Sequence, residues 1–213
     1  IVSENRCTKI DDQVKNDHAA LFGCAVTTGF GVIENNAKLK IGETIVVFGA
    51  GGIGLNIIQA AKLVSAYPII AVDLYGERLK LATKFGATHI INSNQQDFLK
   101  EIQKITNSID VFVDNTGIPS IIEMGYELIN SEGRLILVGV PSKGSNINIF
   151  SLPLHFGKKI EGSFGGECQP SKDIPRYINL LQKGKWSLEG LVTERYSLQD
   201  INKAISNMKN GKS

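Results

Sequence analysis

The chain has 213 residues, a formal net charge of +2 at pH 7, 42% hydrophobic and 21% charged residues, and three cysteines. These fractions lie near the average of globular proteins, which excludes disordered and fibrous chains, and the length exceeds one average domain without reaching two. The balanced charge and the lack of a ~20-residue apolar run predict binding neither to nucleic acid nor to a membrane, and the odd number of cysteines argues against a disulfide framework.

The first predicted element lies in residues 1–42, whose pattern differs from that of the rest of the chain. Asp17 can cap an apolar stretch that continues to Val32. We predict a helix here that is broken or bent near its threonine and glycine residues and that leads into an α/β domain.

Four buried strands are predicted from Thr44 onward. Short apolar runs occur at 45–48, 69–72, 109–113 and 135–138, and they are rich in β-branched residues and bounded by Gly, Asp or Asn. Strands that are buried on both faces have this composition, and such strands occur in parallel sheets covered by helices.

Helical segments separate these runs, because apolar residues recur there with a 3.6-residue period. The residues that share such faces are Ile53, Ile57, Ala60, Ala61 and Val64 in the first segment and Leu79, Ala82 and Phe85 in the next. Strands and helices that alternate several times are typical of an α/β fold with a doubly wound parallel sheet.

Two further elements are predicted toward the C-terminus. Residues 145–150 alternate polar and apolar side chains, as an exposed edge strand does. Ser197–Asp200 has the sequence of a capping box, which predicts that a helix begins there. The apolar residues expected to face inward from this helix are Ile201, Ala204, Ile205 and Met208.

A glycine-rich turn is the strongest functional signal. Gly49, Gly51 and Gly54 form a G-x-G-x-x-G pattern that follows a buried strand and opens an apolar-faced helix. In this context the first glycine permits a tight turn, the second lets a pyrophosphate approach the backbone, and the third lets helix and strand pack closely. The helix N-terminus then offers N–H groups and partial positive charge to the phosphates.

An acidic residue follows at the expected distance. The second strand ends at Asp73, where a carboxylate can accept hydrogen bonds from both ribose hydroxyls and repel a 2′-phosphate, which favours NAD over NADP. Asp73 could also be a plain turn residue. Arg78 either contacts the adenosine ribose or phosphate or is a solvated helix residue, and its presence leaves NADP open.

Two more turns close predicted strands, at 114–117 and at 138–140. Ligands in open α/β sheets bind beyond the carboxyl ends of the strands, so small residues such as Gly139 can admit a cofactor and bare backbone groups can bond a carboxamide. Ordinary turn chemistry explains the same residues equally well, and both interpretations remain open.

The cysteines and histidines give little chemistry by themselves. Cys24 lies in an apolar stretch, where a lone cysteine is usually a small buried hydrophobe. The histidines show no metal-ligand spacing, His89 is expected at a strand end, and Cys7 and Cys168 are expected to be structural. The residues alone therefore predict a dinucleotide-binding domain whose reaction is unknown.

Three segments, at 23–31, 42–44 and 47–54, closely resemble the zinc-dependent medium-chain alcohol dehydrogenases. Further similar segments follow in family order at 70–73, 85–88, 138–140, 162–166 and 200–204. The Gly-Cys-x-Val-Thr-Thr-Gly form that begins at Gly23 is similar to the branch with the liver-type, glutathione-dependent formaldehyde and aryl-alcohol dehydrogenases.

The resemblance implies roles for individual residues. Cys24 corresponds to the third ligand of the catalytic zinc, Thr28 and Ile53 to residues on the two faces of the nicotinamide, and Phe164 to a neighbouring contact. Backbone groups of 138 and 140 would hold the carboxamide. The predicted cofactor-binding residues are Thr28, Gly49, Gly51, Gly52, Ile53, Gly54, Asp73, Arg78, Thr116, Val138, Gly139, Val140 and Phe164.

The resemblance also implies a domain division. Residues 26–163 would form the NAD-binding Rossmann domain, and 1–25 and 164–213 would be flanking remnants of a GroES-like catalytic domain. The two other catalytic zinc ligands, the proton-relay hydroxyl, the structural zinc site and most of the substrate pocket belong in the family to a region before Ile1. We therefore expect a piece of a longer protein.

The function implied by the resemblance is hydride transfer between an alcohol or aldehyde and NAD, with zinc as the Lewis acid in the full-length enzyme. Cys24 alone does not hold catalytic zinc, so the chain itself is expected to bind NAD and to be inactive. A cytoplasmic homodimer that pairs through Asn146–Phe150 is expected, as in relatives.

Two alternatives remain open from the sequence. One is a non-catalytic module that binds NAD(H), and the other is an S-adenosylmethionine methyltransferase, which also uses a glycine-rich turn and a strand-end acid. The nicotinamide-side residues Thr28 and 138–140 disfavour the methyltransferase.

Overall fold

A single parallel sheet organises the part of the chain that the structure describes. The computed structural model describes residues 2–4, 7–12 and 14–209. Its strands are β1 (Ile45–Phe48), β2 (Ile69–Asp73), β3 (His89–Asn92), β4 (Ile109–Asp114), β5 (Ile129–Leu137) and β6 (Lys159–Gly162). Their order across the sheet is β3-β2-β1-β4-β5-β6, and each neighbouring pair is parallel. This is the strand order of the doubly wound Rossmann fold, so the predicted fold class is confirmed.

Helices connect the strands and cover both faces of the sheet. They are α1 (Asn16–Ala19), α2 (Ala25–Gly31), α3 (Gly52–Leu63), α4 (Gly76–Phe85), α5 (Phe98–Ile105), α6 (Pro119–Leu128), α7 (Pro170–Gln182) and α8 (Ile201–Lys209). A π-helical turn at Val32–Ala37 extends α2, and shorter 3-10 turns lie elsewhere. Within the described ranges, no helix has both the length and the apolar character that a membrane crossing requires.

The core has two layers because neighbouring residues of the central strands point to opposite faces of the sheet. Ile45 and Val47 of β1 pack with α2, α3, α4 and α7 on one face, whereas Val46 and Phe48 pack with α5 and α6 on the other. Every residue of β1 and β2 is buried. This double burial explains why the strands appear in the sequence as uninterrupted apolar runs.

The strand predictions are confirmed for 45–48 and, with one added acidic residue each, for β2 and β4. The prediction for 135–138 is wrong at both ends, because β5 already begins at Ile129 and ends at Leu137. The early part of β5 contains exposed polar residues, and its register with β4 shifts between Ile109 and Val111. Because of these two properties, the first part of β5 does not appear in the sequence as an apolar run, and its start was not predicted. His89 begins β3, as predicted.

The N-terminal helix is broken directly after Gly23, as predicted for its glycines, whereas its threonines take no part in the break. The break falls at Cys24, whose backbone (φ −153°, ψ −68°) separates a 3-10 turn at Ala20–Gly23 from α2. The threonines and glycines of α2 are helical and buried. Small residues there let α2 lie close to α3, so they serve packing rather than a bend.

The C-terminal prediction is half right. The helix α8 exists, but Ser197 donates its hydroxyl to the Asp200 carboxylate at 2.6 Å and makes no cap bond to a backbone N–H. Ile201, Ile205 and Met208 are 49%, 40% and 61% exposed, so their predicted inward orientation is wrong for the described residues. The reason is that the described part of the chain leaves this face of α8 open.

The predicted edge strand at 145–150 is not a strand in the structure. The sheet edge is formed instead by β6, which pairs with β5. In the 145–150 segment the Asn148 N–H donates to the Glu123 carboxylate at 2.7 Å, so a side chain takes the place of a neighbouring strand. A strand needs a neighbouring strand for its backbone hydrogen bonds, and the polar–apolar alternation of a segment does not show whether such a neighbour exists.

Residues after 163 pack directly onto the N-terminal helices. The Phe30 ring lies 4.8 Å from both the Tyr177 and the Trp186 rings, and Arg176 bonds both carboxylate oxygens of Glu34. Both sides of the predicted boundary at residue 163 thus contribute to one core layer. The division into two domains stays a prediction, and residues 1, 5, 6, 13 and 210–213 of the predicted flanking segments lie outside the described residues.

The closest approach in this region joins Gly31 of α2 to Gly166, and it predicts the effect of an added methyl group. A Cβ on Gly31 would lie 2.2 Å from the Gly166 carbonyl oxygen, whereas a Cβ on Gly23 would meet nothing within 4 Å. We expect Gly31→Ala to lower the free energy of unfolding by about 2 kcal/mol through overpacking, and Gly23→Ala to leave it unchanged or slightly raised. Urea unfolding of the two variants measures this difference, and equal stabilities would contradict the packing.

A candidate dinucleotide site at the carboxyl edge of the sheet

A cleft of about 760 Å³ opens at the carboxyl ends of the central strands. The strand order reverses between β1 and β4, and the connections that leave these strands on opposite faces create a crevice there. The cleft is lined by Phe48, Gly49, Gly51, Gly52, Ile53, Gly54, Asp73, Leu74, Tyr75, Arg78, Ser93, Phe98, Asn115, Thr116, Ile118, Ile121, Val138, Gly139 and Val140. All predicted cofactor-binding residues except Thr28 and Phe164 are in this set.

The glycine-rich turn forms the floor of the cleft. Gly49 has φ +95°, a conformation that residues with a Cβ rarely adopt. A Cβ on Gly54 would lie 2.0 Å from the Gly49 carbonyl oxygen, whereas a Cβ on Gly51 would meet no atom within 4 Å and would project into open space. α3 begins here without a side-chain cap, so its first N–H groups are free of side-chain competition for an anion. The turn therefore has the shape and polarity of a phosphate cradle.

Asp73 connects the end of β2 with this turn. Its side chain is 5% exposed, one oxygen accepts the Ala50 N–H at 2.7 Å, and the other accepts the Tyr75 N–H at 2.9 Å. The bond to Tyr75 is the local turn chemistry that the sequence left open, whereas the bond to Ala50 joins two segments that are 23 residues apart in the sequence. Each carboxylate oxygen retains a lone pair, so Asp73 can still accept a hydroxyl from a ligand in the cleft.

Arg78 lies at the mouth of the cleft. Its guanidinium is 3.9 Å from the Asp73 carboxylate and 4.8 Å from the centre of the Tyr75 ring, in a cation–π contact. The side chain is 28% exposed. Arg78 is thus held near Asp73 rather than being fully solvated.

The turn after β4 is built around a buried carboxylate. Asp114 is 0% exposed and accepts the Thr116 N–H, the Thr116 hydroxyl and the Gly117 N–H at 3.0, 2.6 and 2.9 Å. This bonding is turn chemistry. Because the Thr116 hydroxyl donates its proton to Asp114, toward a ligand Thr116 can act only as an acceptor.

The 138–140 turn lies beside it. The N–H groups of Val138 and Gly139 both donate to the Asp114 carbonyl, at 2.8 and 2.9 Å. A Cβ on Gly139 would lie 2.2 Å from the Gly117 nitrogen, so only glycine fits between the two turns. With the N–H groups of Val138 and Gly139 engaged inside the protein, the remaining backbone groups of this turn are available to a ligand.

Thr28 and Phe164 lie outside the cleft walls. Thr28 is buried within α2, and Phe164 is 88% exposed just before the Gly165–Glu167 turn. The N-terminal end of α2 does approach the cleft floor, because a Cβ on Gly52 would lie 3.9 Å from the Ala25 Cβ. The structure therefore brings the start of α2 near the glycine-rich turn without making Thr28 part of the cleft.

Cys24, the predicted zinc ligand, is exposed at the break before α2, contrary to the buried position that its apolar neighbours favour. Among the described residues no group of three or more His, Cys, Asp and Glu side chains is close enough to hold a metal ion. Catalytic zinc needs about three protein ligands. Cys24 can supply one of them, and the described residues do not form a complete zinc site.

Several cleft residues were missed by the sequence analysis. Tyr75 lies two residues beyond the end of β2, so the rule that ligands bind beyond strand ends could have found it. Asn115 lies in the 114–117 turn that this rule did single out, although no role was assigned to it there. Phe98 comes from α5 and reaches the cleft through its contact with Phe48, with ring centres 5.3 Å apart. Nothing in the local sequence distinguishes Phe98 from a core residue.

Comparisons with known proteins agree with this geometry. A family model described as a zinc-binding dehydrogenase matches residues 52–183. The S-(hydroxymethyl)glutathione dehydrogenase of Escherichia coli O1:K1 / APEC is 34% identical over 219 aligned residues, which cover 100% of this chain and 59% of that protein. The chain thus spans about 59% of the length of the curated relatives it matches.

Solved structures are similar over nearly the whole chain. Benzyl alcohol dehydrogenase from Acinetobacter calcoaceticus superposes with a TM-score of 0.91 at 34% identity, covering 98% of this chain and 58% of that one. An alcohol dehydrogenase zinc-binding domain protein from Burkholderia ambifaria gives a TM-score of 0.91 at 31% identity, covering 99% and 57%.

The three free cysteines should differ in reactivity. Burial and a hydrogen bond with Asp173 raise the pKa of the Cys168 thiol to about 12, whereas Cys7 and Cys24 are exposed. Because the thiolate is the reactive form, we expect iodoacetamide at about pH 8 to modify Cys7 and Cys24 well before Cys168. Peptide mapping by mass spectrometry over time checks the order. Modification of Cys168 at the rate of Cys24 would contradict it.

Proposed function

Because the chain belongs to the zinc-binding dehydrogenase family, we propose that it is the NAD-binding portion of a zinc-dependent alcohol dehydrogenase. In this proposal the chain binds NAD and presents the nicotinamide for hydride transfer with an alcohol or aldehyde. The observation that carries it is that the glycine-rich turn, Asp73 and the 138–140 turn line one cleft where the strand order reverses. The family membership argues against the methyltransferase alternative.

The pyrophosphate would lie on the glycine-rich turn. Gly51 has open space where a side chain would be, and α3 starts there without a side-chain cap. The uncapped N–H groups and the helix dipole both favour negative charge at this point. The chain's contribution to affinity at this end is thus backbone hydrogen bonding, for which no cationic side chain is required.

The adenosine ribose would bond Asp73. The carboxylate is nine-tenths buried and keeps acceptor capacity beside the bonds it makes to the backbone. A 2′-phosphate would bring two negative groups together in a poorly hydrated position, so NAD is favoured over NADP. The Arg78 guanidinium lies 3.9 Å from the Asp73 carboxylate and offsets part of that repulsion, so the preference for NAD over NADP is limited.

The nicotinamide would lie at the other end of the cleft, beside Thr116 and the 138–140 turn. These residues would orient the ring through backbone groups and the one Thr116 lone pair that the Ile118 N–H leaves free, and the close contact between Gly139 and Gly117 holds the two turns side by side. Bound NAD supplies the hydride acceptor, while the protein positions it. The work of this chain is therefore orientation of the cofactor.

We expect the 213-residue chain alone to bind NAD without oxidising alcohol, because Cys24 supplies one of about three ligands that catalytic zinc needs. The printed names of the relatives, S-(hydroxymethyl)glutathione dehydrogenase and benzyl alcohol dehydrogenase, support an alcohol or aldehyde as substrate class. A reducing cytoplasmic compartment suits three free cysteines.

The NAD proposal is tested by removing the ribose-binding acid. We expect Asp73→Ala to weaken NADH binding by about 10- to 100-fold, since hydrogen bonds to a charged acceptor are lost. Titration of NADH fluorescence measures the affinity. Glu77→Ala, which removes an exposed carboxylate near Asp73, is the matched control and should bind like wild type. Absence of NADH binding by the wild-type chain would refute the proposal.

We also propose that the chain forms a homodimer through Asn146–Phe150. This segment carries the alternating pattern of an edge strand but has no regular structure in the single chain. Phe150 is 70% exposed and Ile147 is 36% exposed. Pairing with the same segment of a second copy would satisfy its backbone groups and cover these apolar side chains.

The dimer is tested by placing a charge in this segment. We expect Phe150→Asp to convert a dimer to a monomer at micromolar concentration, because two carboxylates would be buried across the two-fold axis. Leu198→Asp, at a residue that is 82% exposed elsewhere, should leave the dimer intact. Sedimentation velocity measures the mass. A wild-type monomer would refute the proposal.

A further inference from the structure

Asn115 has an unusual set of contacts for a residue at the edge of the cleft. Its Nδ2 donates to the Gly49 carbonyl at 3.2 Å and to the Phe48 carbonyl at 3.4 Å, and its backbone N–H also donates to Phe48, at 2.9 Å. Its Oδ1 is buried and has no hydrogen-bond partner. A buried acceptor without a partner costs free energy, so the donor half of the side chain must serve a purpose.

The position of Asn115 explains that purpose. The parallel pairing of β1 and β4 ends at Phe48 and Asp114. Beyond this pair β1 and β4 separate to open the crevice, and the ladder holds Gly49 only from the β2 side, where its N–H donates to the Val72 carbonyl at 2.8 Å. The carboxamide of Asn115 takes over from the strand ladder by bonding the first carbonyl of that turn, at Gly49.

The Gly49 carbonyl belongs to a peptide unit that is held at both ends. Its oxygen accepts from Asn115, and the N–H of the same unit, at Ala50, donates to Asp73 at 2.7 Å. Because a peptide unit is planar, two bonds on opposite sides fix its rotation. The same oxygen is the atom against which Gly54 packs, with 2.0 Å to a hypothetical Cβ.

We propose that Asn115 is a positioning residue for the cofactor. It fixes the Gly49–Ala50 peptide from the β4 side, and thereby holds the glycine-rich turn in the shape that presents the start of α3 to the phosphates. This inference rests on the proposed NAD function. It assigns to Asn115 an effect on affinity that acts through the turn, without requiring contact with the cofactor.

The test replaces the donor while keeping the size of the side chain. In Asn115→Asp at about pH 8 a carboxylate faces the Gly49 and Phe48 carbonyls, and we expect NADH to bind at least about 10-fold more weakly. Burial beside two carbonyl oxygens raises the pKa of such a carboxyl. Toward about pH 5.5 it becomes protonated and donates one hydrogen bond again, so affinity should recover in part. Asn115→Leu removes the donor at every pH and should show the loss without recovery.

Asn107→Asp is the matched control. Asn107 is exposed just before β4, so this substitution adds the same charge at the opposite end of the strand. NADH fluorescence titrations at both pH values, with circular dichroism melts for folding, provide the readouts. A loss in Asn115→Asp that recovers at low pH, together with a loss at both pH values in the uncharged Asn115→Leu, supports the proposal. Because Asn115 lines the cleft, a loss in Asn115→Asp alone is direct repulsion of NADH by the new carboxylate and overturns it. Equal affinity of wild type and Asn115→Asp, or the same pH profile in Asn107→Asp, would overturn it.

The two hypotheses fail in different ways. If wild type and Asn107→Asp do not bind NADH, the proposed function is wrong and this inference falls with it. If they bind and Asn115→Leu binds equally well, only the positioning role is wrong. Should Asn115→Asp fail to fold, Asn115→Leu decides alone, because unchanged affinity in a folded variant overturns the proposal and a loss of about 10-fold supports it.

Discussion

The orientation of one peptide unit, Gly49–Ala50, is the constraint on which the candidate site depends. Its carbonyl is bonded by Asn115 from the end of β4, and its N–H is bonded by Asp73 from the end of β2. The close approach of Gly54 to the same carbonyl limits how α3 can pack onto the sheet. These three contacts, together with the Gly49 N–H bond to the Val72 carbonyl, hold the first turn of α3 and with it the floor of the cleft.

Polar residues that are buried for structural reasons shape this candidate site. Asp114 is fully buried because it closes the turn after β4, and in doing so it takes up the Thr116 hydroxyl proton. Asp73 bonds two backbone N–H groups before any ligand arrives. Turn chemistry and the proposed ligand binding are therefore compatible at these strand ends, since Asp73 bonds the backbone and still retains acceptor capacity toward the cleft.

The sequence was informative where a residue's surroundings come from its own element. The doubly buried strands β1 and β2 leave no room for polar alternation, and two glycines of the pattern after β1, Gly49 and Gly54, are required by the local backbone geometry. Prediction failed where the surroundings come from elsewhere. Residues 145–150 alternate as a strand does but have no partner strand in the single chain, and the apolar face of α8 has a helical period but no cover among the described residues. Phe98 is a cleft residue only because α5 places it beside Phe48.

The helix α2, which begins after the break at Cys24, connects the packing on the far side of the core with the cleft. At its C-terminal end α2 is fixed by the contact of Gly31 with Gly166 and by Phe30 against Tyr177. At its N-terminal end it places Cys24 one residue before Ala25, whose Cβ lies near Gly52 on the cleft floor. α2 also packs directly on α3, where a Cβ on Gly29 would lie 2.6 Å from the Asn56 Cβ. The position of Cys24 relative to the glycine-rich turn therefore depends both on the contact of α2 with α3 and on residues 164–186, a segment that the family resemblance assigns to another domain.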